Sequence, residues 1–155
     1  VAGRLQREIH QTKAIRLLEE EASLNIVRTA DVLMVALMEA LKPHMLSATQ
    51  YNVLRILRGA GKDGVSCKDI GARLVARDPD ITRLMDRLEQ RGLIRRDRAV
   101  QDRRVVTHHL TEAGMELVNE LDRPVEELHR KIMRHMKAER LRELVGLLEE
   151  VRAGL

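Results

Sequence analysis

The sequence predicts a mainly α-helical fold with a small β-hairpin, and three observations carry that expectation. Apolar residues recur at intervals of three and four over most of the 155 residues. Two adjacent runs, 93–98 and 104–110, are instead rich in β-formers and flank the tetrad Ala99-Val100-Gln101-Asp102. The composition is 44% apolar and 34% charged, with nine Gly and three Pro, the balance of a patterned helical protein and not of a disordered chain. A chain of this length buries roughly 70% of its unfolded surface on folding, so its core needs no disulfide or metal staple.

Each element has a local reason. Residues 4–22 are charged, with Leu5, Ile9, Leu17 and Leu18 as scattered apolar positions, and read as a helix that needs a partner. Ser23 caps a new turn, after which Ile26, Val27, Leu33, Met34, Leu37, Met38 and Leu41 follow at helical spacing until Pro43 stops the helix. In Ser47-Ala48-Thr49-Gln50 the serine caps and the glutamine reaches back, a capping box. It opens a helix carrying Tyr51, Val53, Leu54 and Leu57, closed around 59–61. A short extended piece at 64–66 leads to a two-turn helix at 67–74. Asp78-Pro79 then marks a helix start, with an acid at the N-cap and Pro at the first helical position. That helix runs to Arg91, with Gly92 as a left-handed terminator and Ile81, Leu84, Met85 and Leu88 as one apolar stripe. Past the hairpin, Thr111 caps a long helical tail. Leu117, Leu121, Val125, Leu128, Ile132 and Met136 line one face of it, and Leu141, Leu144, Val145, Leu148 and Val151 another.

Helix, short strand, two helices and a basic hairpin make the order of a winged helix-turn-helix. The expected organisation is a winged core at 46–111 between N-terminal dimerisation helices at 1–45 and C-terminal dimerisation helices at 112–155, one intertwined domain overall. Terminal amphipathic helices with no third layer over them pack on a copy of themselves, so a homodimer is expected.

Composition narrows the function. One Cys excludes an internal disulfide framework and a multi-Cys zinc module. No apolar run approaches the ~20 residues of a membrane span, and VAGRLQREIH has no signal-peptide core. The expected setting is reducing and cytoplasmic, without membrane contact. With no Trp or Phe and a single Tyr, platforms that stack single-stranded bases are poor readings. The net charge is +4 and the pI about 9.6. Residues 91–104 hold Arg91, Arg95, Arg96, Arg98, Arg103 and Arg104 against Asp97 and Asp102, so this stretch carries as much net charge as the whole chain. Clustered cations without aromatics favour the backbone of double-stranded DNA.

In helix-turn-helix proteins the second helix lies in the major groove. With its stripe inward, 79–91 shows Asp80, Thr82, Arg83, Asp86, Arg87 and Gln90 outward. Arg83 and Arg87 lie one turn apart, and each can read guanine O6 and N7 for roughly 1–3 kcal/mol of discrimination. Thr82 suits a thymine methyl or a phosphate, while Asp80 and Asp86 hold the arginines or accept from cytosine N4. The same spacing also describes an ordinary solvated face. The hairpin is the sharper signal. Arg98, Arg103 and Arg104 flank its turn and Asp102 can aim an arginine, as in a wing that enters the minor groove. The alternative is arginines guarding an exposed strand edge.

The run DITRLMDRLEQRGLIRRDRAVQDRRVVTHHLTEAG, residues 80–114, resembles the core signature of MarR-type (multiple antibiotic resistance regulator) transcription factors. The matching features are the TRL-x-DRLE recognition helix, the RGL-I turn, the DRR wing and the LTEAG helix opening. LSATQYNVLRIL and GVSCKDIGARL also resemble the family's second and third helices, and the likeness spans about residues 24–150. The resemblance implies a bacterial homodimeric winged-helix regulator on pseudo-palindromic operator DNA, often released by a small molecule or oxidant. It implies DNA contact for Asp80, Thr82, Arg83 and Arg87 on the recognition helix, and for Asp102, Arg103 and Arg104 on the wing. Two departures matter. Residues 1–22 extend beyond the usual first helix and are expected to add to the dimer interface. Ala76-Arg77-Asp78-Pro79-Asp80 stands where many members are Ser/Thr-rich, so base preference does not transfer. The family's ligand crevice lies between the winged lobe and the dimer helices. Met34, Met38, Met45, His44 and Tyr51 are candidates to line it, with Arg16 or Arg28 to pair with an anionic or aromatic effector. Methionines at helical spacing also serve as core filler.

Other constellations are weaker. Cys67 has only Lys68 beside it and reads as a buried structural thiol, with a thiol switch as the alternative. Among the six His, Glu126-x-x-His129 has ligand spacing once, His108 and His109 point to opposite strand faces, and His135 with Glu139 is isolated, so solvated or interfacial histidines are expected. No nucleophile–base pairing, phosphate loop or carboxylate pair stands out, and neither an enzyme nor a cofactor is expected. The expected function is a sequence-specific double-stranded-DNA-binding transcriptional regulator, most simply a repressor released by a small effector. The rivals are a redox- or metal-responsive regulator and a ligand-binding dimer without DNA binding.

Overall fold

The computed structural model describes residues 3–98 and 106–155. The predicted helix over 4–22 is divided. α1 (Arg4–Glu8) buries Leu5 and ends at a left-handed His10 (φ 53°), with Gln11 N–H bonding the Gln6 carbonyl at 3.0 Å and the Gln6 side-chain amide donating forward to the carbonyls of Gln11 and Lys13, each at 3.2 Å. α2 (Leu18–Leu41) then runs for 24 residues. Ser23 does not cap it. Glu19, Glu20 and Glu21 occupy its first turn, where the helix dipole favours carboxylates. Ser23 sits inside the helix, its hydroxyl donating back to the Glu19 carbonyl at 2.8 Å.

A 3-10 turn at Lys42–His44 and a left-handed Met45 (φ 52°) lead into α3 (Ala48–Ala60). The predicted capping box is present: Gln50 N–H donates to Ser47 Oγ at 3.1 Å, and Ser47 N–H to Gln50 Oε1 at 3.0 Å. A second 3-10 turn (Gly61–Asp63) precedes β1 (Val65–Ser66), α4 (Cys67–Arg73) and α5 (Ile81–Gln90). α5 starts two residues later than Asp78-Pro79 suggests. The Asp78 carboxylate accepts from the Asp80 N–H at 2.8 Å, closing a turn ahead of the helix and leaving Asp80 at the N-cap. Gly92 has the expected positive φ of 69°, and Leu93 N–H reaches the Leu88 carbonyl at 3.1 Å.

β2 (Ile94–Arg98) and β3 (Val106–Leu110) form the hairpin, in register from Ile94 opposite Leu110 to Arg98 opposite Val106. β1 adds to the other edge of β3, giving the antiparallel order β1-β3-β2. α6 (Glu112–Met133), capped by Thr111, and α7 (Ala138–Ala153) complete the chain. One core joins Leu41 of α2, Val53, Leu54 and Leu57 of α3, Ile70 of α4, Met85 and Leu88 of α5, and Val118 and Leu121 of α6. The first half of α6 therefore belongs to the winged lobe, and its buried face includes Val118 beside the predicted Leu121 and Val125. α7 buries none of its residues, and Leu18, Val27, Val32, Val35, Val145, Leu147 and Val151 leave apolar surface open along α2 and α7. Among the described residues no helix is long and apolar enough to cross a membrane.

The junction of hairpin and α6 is tight. Thr111 donates to the Gly92 carbonyl at 2.6 Å and accepts from Gly114 N–H at 3.1 Å, which presses the first turn of α6 onto the chain at Leu93. A Cβ at Gly114 would run into the Leu93 carbonyl and a Leu110 methyl. Gly114→Ala is expected to destabilise the fold by about 1–3 kcal/mol, as overpacking does, and to lower the thermal midpoint by several degrees. An unchanged midpoint would show that the Leu93 segment yields freely.

Candidate nucleic-acid interface

α5 has one apolar side. Leu84, Met85 and Leu88 are buried, while Thr82, Arg83, Arg87 and Gln90, with Asp80 at the cap, are exposed as predicted. Arg83 Nε lies 3.3 Å from Asp80 Oδ2, so this acid holds an arginine on its own helix. Arg83 and Arg87 line a polar cleft of about 220 Å³ together with the carboxylates of Asp78 and Asp80 and with Ser47 and Gln50, at the start of α3. Two guanidinium groups therefore stand beside a helix N-terminus, whose dipole also favours anions.

Asp86 has a different partner from the one its spacing suggests. Arg96 of β2 lies 2.6 Å from Asp86 Oδ1 and 3.2 Å from Glu89 Oε2. Arg96 thus ties the hairpin to α5 while remaining exposed to solvent. Arg98 ends β2 with its side chain exposed. Asp102, Arg103 and Arg104, predicted at the wing, lie outside the described residues.

The paired histidines are not solvated. β3 is the central strand, with both edges paired, and its side chains are packed over as well: His108 is 4% and His109 9% exposed. His108 Nδ1 lies 3.3 Å from the Val65 carbonyl, and His109 Nε2 lies 3.1 Å from Thr107 Oγ1. Asp97 is 3.7 Å from His109, but its carboxylate is engaged by Arg95. Burial lowers both imidazole pKa values, and the nearby Arg96 and Arg95 charges lower His108 and His109 respectively still further.

The crevice between α2, α3, α6 and the α4–α5 connection holds about 200 Å³. Met34 and Tyr51 line it, beside Asn52, Arg55, Val75 and His129. Met38, His44 and Arg16 do not, nor do Met45 and Arg28. Met38 is 44% exposed on α2, and Arg16 is exposed in the stretch before that helix. His44 ends the 3-10 turn and Met45 follows it as the left-handed C-cap, and Arg28 lies 3.6 Å from Asp31. The cation at the crevice is Arg55, its guanidinium 5.8 Å from the Tyr51 ring centroid. The i, i+4 spacing of Tyr51 and Arg55 was the available sequence signal. Burial raises the Tyr51 phenol pKa, partly offset by Arg55. Asn52 Oδ1 accepts from Val75 N–H at 2.9 Å, linking the crevice to the turn before α5. Arg58, further along α3, makes a bidentate pair with Asp122 of α6 at 2.7 and 2.9 Å. Cys67 is half-buried at the start of α4. No group of three or more potential metal ligands occurs among the described residues.

The buried histidines set a pH dependence. Their folded pKa values lie below the unfolded value, so their stabilising contribution is present above about pH 6.5 and declines as pH falls, when the unfolded chain takes up protons first. The thermal midpoint is expected to drop between pH 7 and 5, and His108→Asn to blunt the drop. A midpoint that holds or rises on acidification would contradict this.

The MarR family model matches residues 46–106. The chain is 41% identical to a MarR transcription factor from Planctomyces limnophilus of known crystal structure, over 87% of this chain and 98% of that one, with a TM-score of 0.67. It is 29% identical over 143 residues to the homoprotocatechuate degradative operon repressor of Escherichia coli, covering 92% of this chain and 88% of the relative. The S. aureus MepR–DNA complex shares the fold at 22% identity and a TM-score of 0.78, over 86% and 97% of the two chains.

Proposed function

The chain belongs to the MarR family of transcription regulators, a family of regulators and not of enzymes, and from that premise we propose that it is a homodimeric repressor of pseudo-palindromic double-stranded DNA, relieved by a small anionic aromatic effector. The observation that carries the DNA-binding reading is α5, whose buried stripe leaves Thr82, Arg83 and Arg87 exposed on one outward side. Arg83 and Arg87 read base edges in the major groove, Thr82 touches a methyl or a phosphate, and Asp80 steers Arg83. Arg98, Arg103 and Arg104, aimed by Asp102, clamp the adjacent minor groove. The open apolar faces of α2 and α7, with the N-terminal extension, meet their copies across a two-fold axis. A repressor among the relatives and a relative in complex with DNA support this reading. The site of action is the cytoplasm, where such a dimer occludes a promoter.

The effector reading rests on the crevice chemistry. Met34 and Tyr51 supply apolar and aromatic walls, and Arg55 a cation for a carboxylate.

The test is fluorescence anisotropy on the duplex upstream of the coding region and on a scrambled duplex, each at two salt concentrations. Tight, salt-dependent binding that favours the native duplex is expected. Equal weak binding to both would remove that region as operator and leave the DNA-binding reading without support. Arg87→Gln is expected to relax preference at one base pair per half-site, and Arg104→Ala to weaken binding to all duplexes and flatten the salt slope by about one. Equal losses on specific and random DNA for Arg87→Gln, or an unchanged slope for Arg104→Ala, would remove that residue from its role. In a titration with aromatic carboxylates, Arg55→Ala is expected to keep DNA affinity and lose release. Release as in wild type would displace Arg55 from the effector site.

A further inference from the structure

Arg91 is the C-cap residue of α5, and its backbone N–H bonds the Arg87 carbonyl at 3.2 Å. Its side chain runs away from the rest of α5. Nη1 donates to the Met45 carbonyl at 2.7 Å and Nη2 to the His44 carbonyl at 2.9 Å. Those two carbonyls end the helical run of α2 and its 3-10 turn, where Met45 adopts a left-handed conformation. Carbonyls at a helix C-terminus lack intrahelical donors and carry partial negative charge, and a planar guanidinium fork satisfies two at once. Arg96 binds α5 to the hairpin, inside the winged lobe. Arg91 instead reaches out of α5 to the end of the long helix whose apolar face is open for a partner.

We propose that Arg91 is the positioning residue that sets the angle of the recognition helix against α2, and so fixes the half-site spacing the protein accepts; this rests on the reading of the protein as a DNA-binding dimer. In a two-fold dimer the separation of the two recognition helices follows from how each is mounted on the helices at the axis. Arg87 lies one turn before Arg91 on α5, so a change at the Arg91 anchor moves a groove-facing arginine directly. Two of the five N–H donors of Arg91 are engaged by these carbonyls, and in this scheme the residue acts through them and makes no phosphate contact.

The experiment starts from duplexes selected by the wild-type dimer out of a random pool. Affinities are then measured on the selected site and on versions with one base pair added or removed between half-sites, across a salt series. Wild type is expected to discriminate against both altered spacings. Arg91→Ala should bind the selected site roughly three- to tenfold more weakly, the scale of losing exposed charge-assisted hydrogen bonds. Its salt slope should match wild type, and its discrimination among spacings should collapse. Arg91→Lys, which keeps the charge and loses the fork, should fall between them, and it carries the test if Arg91→Ala does not fold. A salt slope flattened by about one would make Arg91 a phosphate contact and overturn the proposal. Spacing discrimination equal to wild type in a folded variant would overturn it too. Selection of no paired half-sites by wild type would overturn the dimeric DNA-binding reading beneath it.

Discussion

Burying a single apolar stripe on a ten-residue helix constrains everything else in the winged lobe. Leu84, Met85 and Leu88 enter the core with Leu54, Leu57, Ile70 and Leu121, and the helical period then leaves Arg83 and Arg87 outside. α5 cannot roll to hide those arginines without exposing its stripe, at about 1.5–3 kcal/mol per large side chain. Desolvation of leucines thus holds two cations in one orientation. Their mutual repulsion is eased by Asp80 and by the solvent that reaches both of them.

Orientation about the helix axis is one degree of freedom, and the tilt and placement of that axis need other ties. Asp80 and the Asp78 turn define its start, Gly92 ends it, and Arg96 links its side to the hairpin through Asp86 and Glu89. Each of these ion pairs is solvent-exposed and individually weak. Together with the Thr111–Gly92 bond they join helix, hairpin and α6 around the Leu93 chain.

The crevice sits where this assembly meets the longer helices. Tyr51, Asn52 and Arg55 come from α3, and the Asn52 amide holds the backbone at Val75, in the connection that leads to α5. The crevice therefore adjoins the connection that leads into α5. The Arg58–Asp122 pair lies further along α3 and keeps it on α6.

Much of this was readable from the chain itself. The capping box at Ser47, the Thr111 cap, the Gly92 terminator and the α5 stripe all depend on residues within four or five positions of one another, and local geometry settles them. The family resemblance stood on the same contiguous stretch. Even near neighbours misled where two local options competed: Asp78 closed a turn and did not cap, and Ser23 bonded back inside a helix already begun at Leu18. What the sequence could not settle are partners chosen across the fold. Arg96 pairs with Asp86 ten residues away, and Arg91 with carbonyls 46 and 47 residues away. The β1 segment arrives from forty-odd residues upstream and helps bury both histidines, bringing the Val65 carbonyl to His108 and Gly64 against the His109 ring. Arg55, not Arg16, faces the crevice because the long helices converge there and the N-terminal stretch does not. Periodicity decided which side of each helix faces inward; the packing of distant segments decided which polar groups meet.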